Sequence, residues 1–241
     1  MSHPSKTYNK PARTPSDLLA HLQSRGLGVP DTSAAQKALK RIGYYRLLIY
    51  MRPLQDSTTK HFLAGSTFDD ILQLYNFDRE LRLLCLDAIE RIEVALRAAI
   101  INELAVAHGT HFHLSSRHFE KVEGFRGFID RATKAQYLGI SHYCDNYNEP
   151  SIPPIWTILE GVTLGTLSRM YSNLHVANRR LIAAQFNFPE QTMVSWLRSI
   201  NDLRNMCAHH NRLFNAIMQV NQPMQSKRLR GEWSTNQNRL Y

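Results

Sequence analysis

The sequence of 241 residues predicts an all-α protein. Apolar residues recur at three- and four-residue spacing through nearly every long segment, which is the period of a helix with one buried face. No stretch alternates apolar and polar residues as a half-buried strand does. Capping residues open many of these segments, and glycine or proline follows many of them. The hydrophobic fraction of 43% suits a chain with a real core, so disorder is expected only at the ends.

"TPSDLLAHLQSRG" supplies the first element, with Thr14 as N-cap, Pro15 in the first turn and Gly26 as a stop. "DTSAAQKALKRIG" repeats the logic between Asp31 or Thr32 and Gly43. "YYRLLIYMRP" is either a short helix or a buried extended segment, and its length does not decide. Ser66 or Thr67 then caps the longest pattern, with Asp69 and Asp70 near the positive end of the helix dipole. It continues as one helix, or two in near succession, to about Gly109. After the loop "THFHLSSRH" another helix is expected from about Phe119 to Tyr137, and the three prolines of "NEPSIPPIW" break the chain. "WTILEGVTLGTLSRMYSNL" is expected to be helical, with Gly161, Gly165 and Ser168 on one face for close helix packing. These glycines follow no strand and lack a P-loop lysine, so they do not read as a phosphate loop. "ANRRLIAAQF" and a segment from about Pro189 to Val220 complete the helices, and the tail from Asn221 is polar, basic and aperiodic. The resulting organisation is a flexible N-terminus over 1–13, one domain over 14–222 (an N-terminal helical part, 14–60, and a bundle, 61–222), and a basic tail over 223–241.

Composition narrows the functional classes. Cys85, Cys144 and Cys207 lie far apart and form no CxxC motif, which suits a reducing compartment and offers no cysteine metal site. The opening stretch lacks a secretory h-region, and no run approaches ~18 apolar residues, so a cytoplasmic protein without a membrane association is expected. The net charge of +9 is unevenly spread. Residues 1–60 carry an excess of 7 positive charges and residues 198–241 an excess of 5, around a slightly acidic middle. If both ends fold onto one face they attract a polyanion, with RNA or DNA the obvious candidates; a basic tail without a partner is the plainer account.

The stretch "RNMCAHHNRLFN", residues 204–215, is the candidate site. At ~100° per residue, Trp196, Ile200, Leu203, Cys207, His210, Phe214 and Ile217 form one seam, expected to face the core. His210 is therefore expected to be buried and hydrogen-bonded. Asn205, Ala208, His209 and Arg212 fall on the opposite side, with Arg198 and Asp202 nearby and Arg204 at the flank. An outward histidine flanked by arginine and asparagine can serve phosphodiester cleavage. Its imidazole exchanges a proton near neutral pH, and the arginine stabilises the charge of the transition state. On spacing alone a solvated polar face explains the same residues.

Arg204–Asn205–x3–His209 resembles the R-polar-x(3–5)-H signature of the HEPN superfamily, which includes many metal-independent endoribonucleases. "LRNMCAHHNRLFN" is similar to the C-terminal motif of the Abi D/F abortive-infection branch. "ALKRIGYYRLLIYMRPLQ", "LYNFDRELRLLCLDAIERIEVALRAAI" and "PPIWTILEGVTLGTLSRMY" follow that family's order. The resemblance covers about residues 8–220 and implies a HEPN-like helical bundle with an N-terminal helical extension. It further implies paired HEPN units with a composite cleft, and cleavage by the RNA's own 2′-OH to give a 2′,3′-cyclic phosphate and a 5′-OH. Arg204 and His209 become the catalytic pair, supported by Asn205, with His210 and Arg212 matching the branch motif. The expected partners are RNA, including a small non-coding antitoxin RNA, and a second copy of the chain in a homodimer. No cofactor is required. The role implied is phage defence or toxin-like growth arrest.

Other residues read in two ways. Glu93 and Arg97 form an i, i+4 pair, and the alternative is that Glu93 orients Arg204. Arg179, Arg180, Arg198, Lys227, Arg228 and Arg230 are candidates for RNA phosphate contacts or simply solvated charges. His108, His111, His113 and His118 invite a metal, but no cysteine is near and the zincin spacing is absent, so no metal is expected. Two rivals to the nuclease remain: a non-catalytic RNA-binding protein using the same face, and an interaction protein whose polar stripe mediates only dimerisation.

Overall fold

The computed structural model describes residues 11–134, 138–217 and 223–224. Among these the chain is all-α, with three isolated bridge pairs and no strand. It divides into two compact units, Met1–Glu80 and Leu81–Tyr241.

The first unit is built by caps that the sequence announces. Helix α1 (Pro15–Gln23) begins at Thr14, whose hydroxyl accepts from the Asp17 amide while the Asp17 carboxylate accepts from the Thr14 amide. Helix α2 (Thr32–Arg41) begins at Asp31, which accepts from the Ala34 amide at 2.9 Å. Gly43, at φ 92°, turns the chain into α3 (Tyr44–Met51), so the aromatic run is helical. Leu19, Leu22, Leu39, Leu47, Met51 and Ile71 are among the side chains that close the core. Tyr50, fully buried, satisfies its hydroxyl by donating to Asp78 at 2.6 Å. Helix α4 (Phe68–Ile100) opens with Thr67 and Asp70 exchanging backbone and side-chain hydrogen bonds, and it crosses the boundary between the units.

In the second unit the helical path continues from α4 through a π-turn, Ile101–Ala105, and a last turn, Val106–His108, to Gly109 at φ 92°. The next helix, α5 (Val122–Thr133), is shorter than the pattern predicted, and α6 (Leu138–Asn146) follows, which the pattern did not mark. The glycine-containing segment is two helices and not one. Helix α7 (Ile155–Gly161) ends in extended Val162, and α8 (Leu164–Asn173) restarts at Thr163, whose hydroxyl accepts from the Thr166 amide. A β-branched pair directly after glycine favours extended backbone, and the threonine then offers a new cap. Helices α9 (Val176–Ala184) and α10 (Glu190–Ala208) complete the unit. Helix α8 packs against both α5 and α10 over a core that includes Leu96, Leu104, Phe128, Ile158, Leu167 and Leu197.

Two close approaches fix α8. A Cβ on Gly165 would lie 2.8 Å from Asn201 Oδ1, so glycine leaves room here for the Asn201 side chain of α10. At the other end, Asn173 bonds both the amide and the carbonyl of Lys121, and Gly124 makes room for its carboxamide. The N-terminal residues 1–10 and the tail residues 225–241, with Lys227, Arg228 and Arg230, lie outside the described residues.

Candidate functional site

Helix α10 carries the candidate residues, and it ends earlier than its apolar period predicted. The last helical residue is Ala208, with His209 as C-cap. His210 takes the left-handed conformation at φ 57°; its amide donates to Cys207 O at 3.0 Å, and the Asn211 amide donates to Met206 O at 2.8 Å. These two bonds are those of a Schellman motif, a helix stop in which the left-handed position is usually glycine. His210 is consequently exposed, which corrects the expectation that it lies in the core. Beyond it the chain is irregular, and Ile217 is 60% exposed where a continued seam required burial.

The buried stripe of α10 is also rotated relative to the apolar pattern. Met193 and Leu197 are buried, whereas Trp196, Ile200 and Leu203 are only half-buried. Arg204 follows Leu197 by seven residues, two turns, and is half-buried, as Ile200 and Leu203 are. Cys207 is buried and, as a free thiol, hydrogen-bonds the free Cys85 thiol of α4; burial pushes the Cys85 pKa up.

Arg204 lines two cavities of the second unit. One, about 320 Å³, is bordered by Glu90, Glu93, Val94 and Arg97 of α4. Glu93 is bonded to Arg97 at 2.6 Å, and Arg97 also donates to Val162 O and lies 3.6 Å from Glu160. Glu93 thus forms the expected helical pair, and it shares a cavity with Arg204. The other cavity, about 160 Å³, holds Asn205 and is bordered by Thr163, Gly165, Arg169 and Asn201. Among the described residues neither Arg204 nor Arg169 has an ion pair. Arg169 and Asn201 were not anticipated. The available signal was Gly165, which marks where α10 comes close to α8.

His209 is exposed one turn beyond Asn205, to whose carbonyl its amide donates at 2.9 Å. Its imidazole makes no hydrogen bond among the described residues. The loop behind it is held at its start by Arg82, which donates to Asn211 O at 3.4 Å. Arg212 is half-buried and reaches Asn215 O at 3.4 Å.

The remaining candidates separate clearly. Arg198 and Arg180 are exposed. Arg180 borders a third cavity with Phe188, Glu190 and Gln191; Gln191 precedes Arg204 by thirteen residues, about 20 Å along α10 at 1.5 Å per residue. Arg179 is corrected. It is buried and spends its guanidinium on Glu190 (3.1 Å), Glu120 (3.0 Å) and the carbonyls of Ser172 and Leu174, so it braces the fold and is not free for phosphate.

The four histidines of the loop are structural in their placement. His108 meets Asn178 at 2.9 Å and stacks within 4.5 Å of His118. His113 is completely buried against Phe112 and Phe128, and burial lowers its pKa to about 4. The Pro153 carbonyl approaches the ring and offsets part of that shift, yet neither ring nitrogen makes a well-formed hydrogen bond. Among the described residues no group of three or more His, Cys, Asp or Glu side chains is placed to hold a metal ion, and no helix is long and apolar enough to cross a membrane.

A family model described as Abi-like protein matches residues 37–215, most of the chain and all of the motif at the end of α10. No curated protein and no solved structure matches the sequence.

Proposed function

Because the chain belongs to the Abi-like protein family, we propose that it acts in abortive infection, a defence against phage, as a metal-independent endoribonuclease. The observation that carries this reading is Arg204, without an ion-pair partner among the described residues, beside Asn205 in a cavity one helical turn from exposed His209. An arginine without an ion pair and an exposed imidazole one helical turn beyond Asn205 are groups that phosphodiester cleavage can use. Arg204 receives the negative charge that builds on the phosphorus oxygens, and His209 exchanges the proton. The 2′-oxygen of the RNA bonds to phosphorus as its proton leaves to a base, and the bond to the 5′-oxygen breaks as that oxygen takes up a proton. A 2′,3′-cyclic phosphate and a 5′-OH remain. The need for a 2′-OH restricts the substrate to RNA.

A second copy of the chain is part of the proposal. Leu84 and Val94 of α4 are 69% and 55% exposed, and Val94 borders the Arg204 cavity, so apolar surface adjoins the site. A homodimer seated there brings two His209 and two Arg204 side chains to one cleft. A small non-coding RNA held on the same basic surface is the proposed antitoxin.

The rival reading, RNA binding without cleavage, is favoured by one observation: no third group orients the imidazole of His209 among the described residues. Incubation of the purified protein with labelled RNA in EDTA separates the two. Cleavage to cyclic phosphate ends, lost in both Arg204→Ala and His209→Ala, supports the nuclease. Retention of RNA without new ends supports the binding protein.

A further inference from the structure

The cavity on the far side of Arg204 from Glu93 has an unusual lining. Its polar groups are two guanidinium groups, those of Arg169 and Arg204, with the carboxamides of Asn201 and Asn205 and the hydroxyl of Thr163. No carboxylate borders it. Other internal arginines of this unit are engaged: Arg97 with Glu93 and Glu160, Arg179 with Glu120 and Glu190, and Arg82 with the Asn211 carbonyl. Arg169 and Arg204 have no such partner among the described residues. Arg131 of α5 adds a third positive charge near Arg169, its own guanidinium tied back to Gly127 O at 2.6 Å. Together with burial, that charge lowers the pKa of Arg169.

Two cations without an ion pair across a small cavity repel each other. An anion between them removes the repulsion and uses both planar forks. The space, about 160 Å³, equals that of roughly five waters at ~30 Å³ each, which accommodates a phosphate group of five heavy atoms. Asparagine carboxamides supply further donors. Gly165 is part of the construction, since any side chain there displaces Asn201.

We propose that this cavity is a phosphate-binding subsite for RNA, in which Arg169 and Asn201 hold the phosphate next to the one that is cut, with Arg204 lying between the two. Asn205 borders the cavity, and His209 stands four residues further, about 6 Å of helix rise. A single strand laid along the end of α10 therefore meets Arg169 first and His209 last. Arg169 is a binding residue in this arrangement and takes no part in bond cleavage. The inference rests on the RNA reading above.

The test uses the full chain, with Arg169→Ala, Arg169→Lys and, as a control outside the cavity, Arg91→Ala, an exposed arginine paired with Asp87. Binding of a short fluorescent single-stranded RNA is followed by anisotropy in EDTA across a salt series, with cleavage at saturating protein measured in parallel. Arg169→Ala is expected to weaken binding by about ten-fold and to reduce the salt slope by about one. Cleavage at saturation is expected to change by less than about three-fold, because only binding is lost. Arg169→Lys restores the slope, and Arg91→Ala leaves the affinity within a factor of about two. Wild-type affinity and slope in Arg169→Ala overturn the proposal, as does loss of saturated cleavage with binding intact. If the wild-type protein binds no RNA, the RNA reading fails by itself, and inorganic phosphate decides the fate of the cavity. A phosphate-dependent rise in the unfolding midpoint, present in wild type and absent in Arg169→Ala, keeps an anion site that serves another phosphate compound. No rise, or an equal rise in both, removes the subsite as well.

Discussion

His210 is the residue at which periodicity and backbone chemistry disagree. The apolar seam placed it in the core, but the chain turns left-handed there, and the two Schellman bonds close the helix before the seam can continue. A left-handed conformation costs a non-glycine residue ~1–2 kcal/mol, which glycine avoids. His210→Gly is accordingly expected to raise stability by about 0.5–1 kcal/mol, read as a higher urea midpoint at unchanged slope; a lower midpoint shows that the imidazole makes a stabilising contact of its own. Adjacent Arg179 and Arg180 give a second contrast at this scale. Arg179 sits in a buried set of four oxygen partners, and removing one member of such a set strands the opposite charges. Arg179→Met is expected to cost about 3–5 kcal/mol, while exposed Arg180→Ala stays within about 0.5 kcal/mol. Equal effects in the two variants, measured by denaturation at neutral pH, contradict that division.

Elements were legible in the sequence where their boundaries are local. Thr14 caps its helix as the sequence predicts, and Asp31 and Thr67 are the members of the pairs Asp31 or Thr32 and Ser66 or Thr67 that cap theirs, because a short side chain reaching an amide three residues on needs nothing from the rest of the fold. Gly43 and Gly109 stop helices for an equally local reason. The division of the "WTILEGVTLGTLSRMYSNL" segment, the end of α10 and the rotation of its buried stripe were not legible. Each depends on a neighbour: on α10, the Asn201 side chain lies against Gly165 of α8, and Arg204 lines the cavity there. The motif positions Arg204, Asn205 and His209 could be named from the sequence, whereas Arg169 joins Arg204 only through the packing of α8 on α10. The loop between His108 and His118 shows the same dependence. Its short 3₁₀ turns bury His113 among aromatic rings, where only the neutral imidazole is tolerated. With the folded pKa depressed to about 4 from an ordinary 6.5, the unfolded chain binds the proton more readily, so stability is full above pH ~6.5 and declines as pH falls toward 4. That shift corresponds to about 3 kcal/mol at 1.36 kcal/mol per unit. His113→Leu is expected to flatten this part of the stability-against-pH curve, and an unchanged slope between pH 7 and 4 assigns the acid sensitivity to other groups.

At the scale of the whole molecule the question is how many chains make one active site. Transesterification moves two protons, one from the 2′-OH and one to the 5′-oxygen, and an efficient site provides a group for each. The turn after α10 exposes His209 and, next to it, His210 in its strained conformation. Either both transfers belong to one chain, through these neighbours, or two copies each contribute His209. The apolar exposure of Val94 beside the Arg204 cavity, with Leu84 exposed earlier on the same helix, favours two copies. Mixing distinguishes the arrangements without any structure of the complex. His209→Ala is expected to be inactive alone, and it is mixed with differently tagged wild type so that the mixed dimer can be isolated. If each copy contributes its His209 to one cleft, the mixed dimer lacks one of the two proton-transfer groups, and its cleavage to cyclic phosphate ends is expected to fall by ~100-fold or more. A site contained in one chain leaves the wild-type subunit intact, and the mixed dimer then keeps about half of the wild-type rate. Retention of that half moves both proton transfers into one chain, with His210 as the neighbouring exposed imidazole, and His210→Gly then becomes a test of activity as well as of stability.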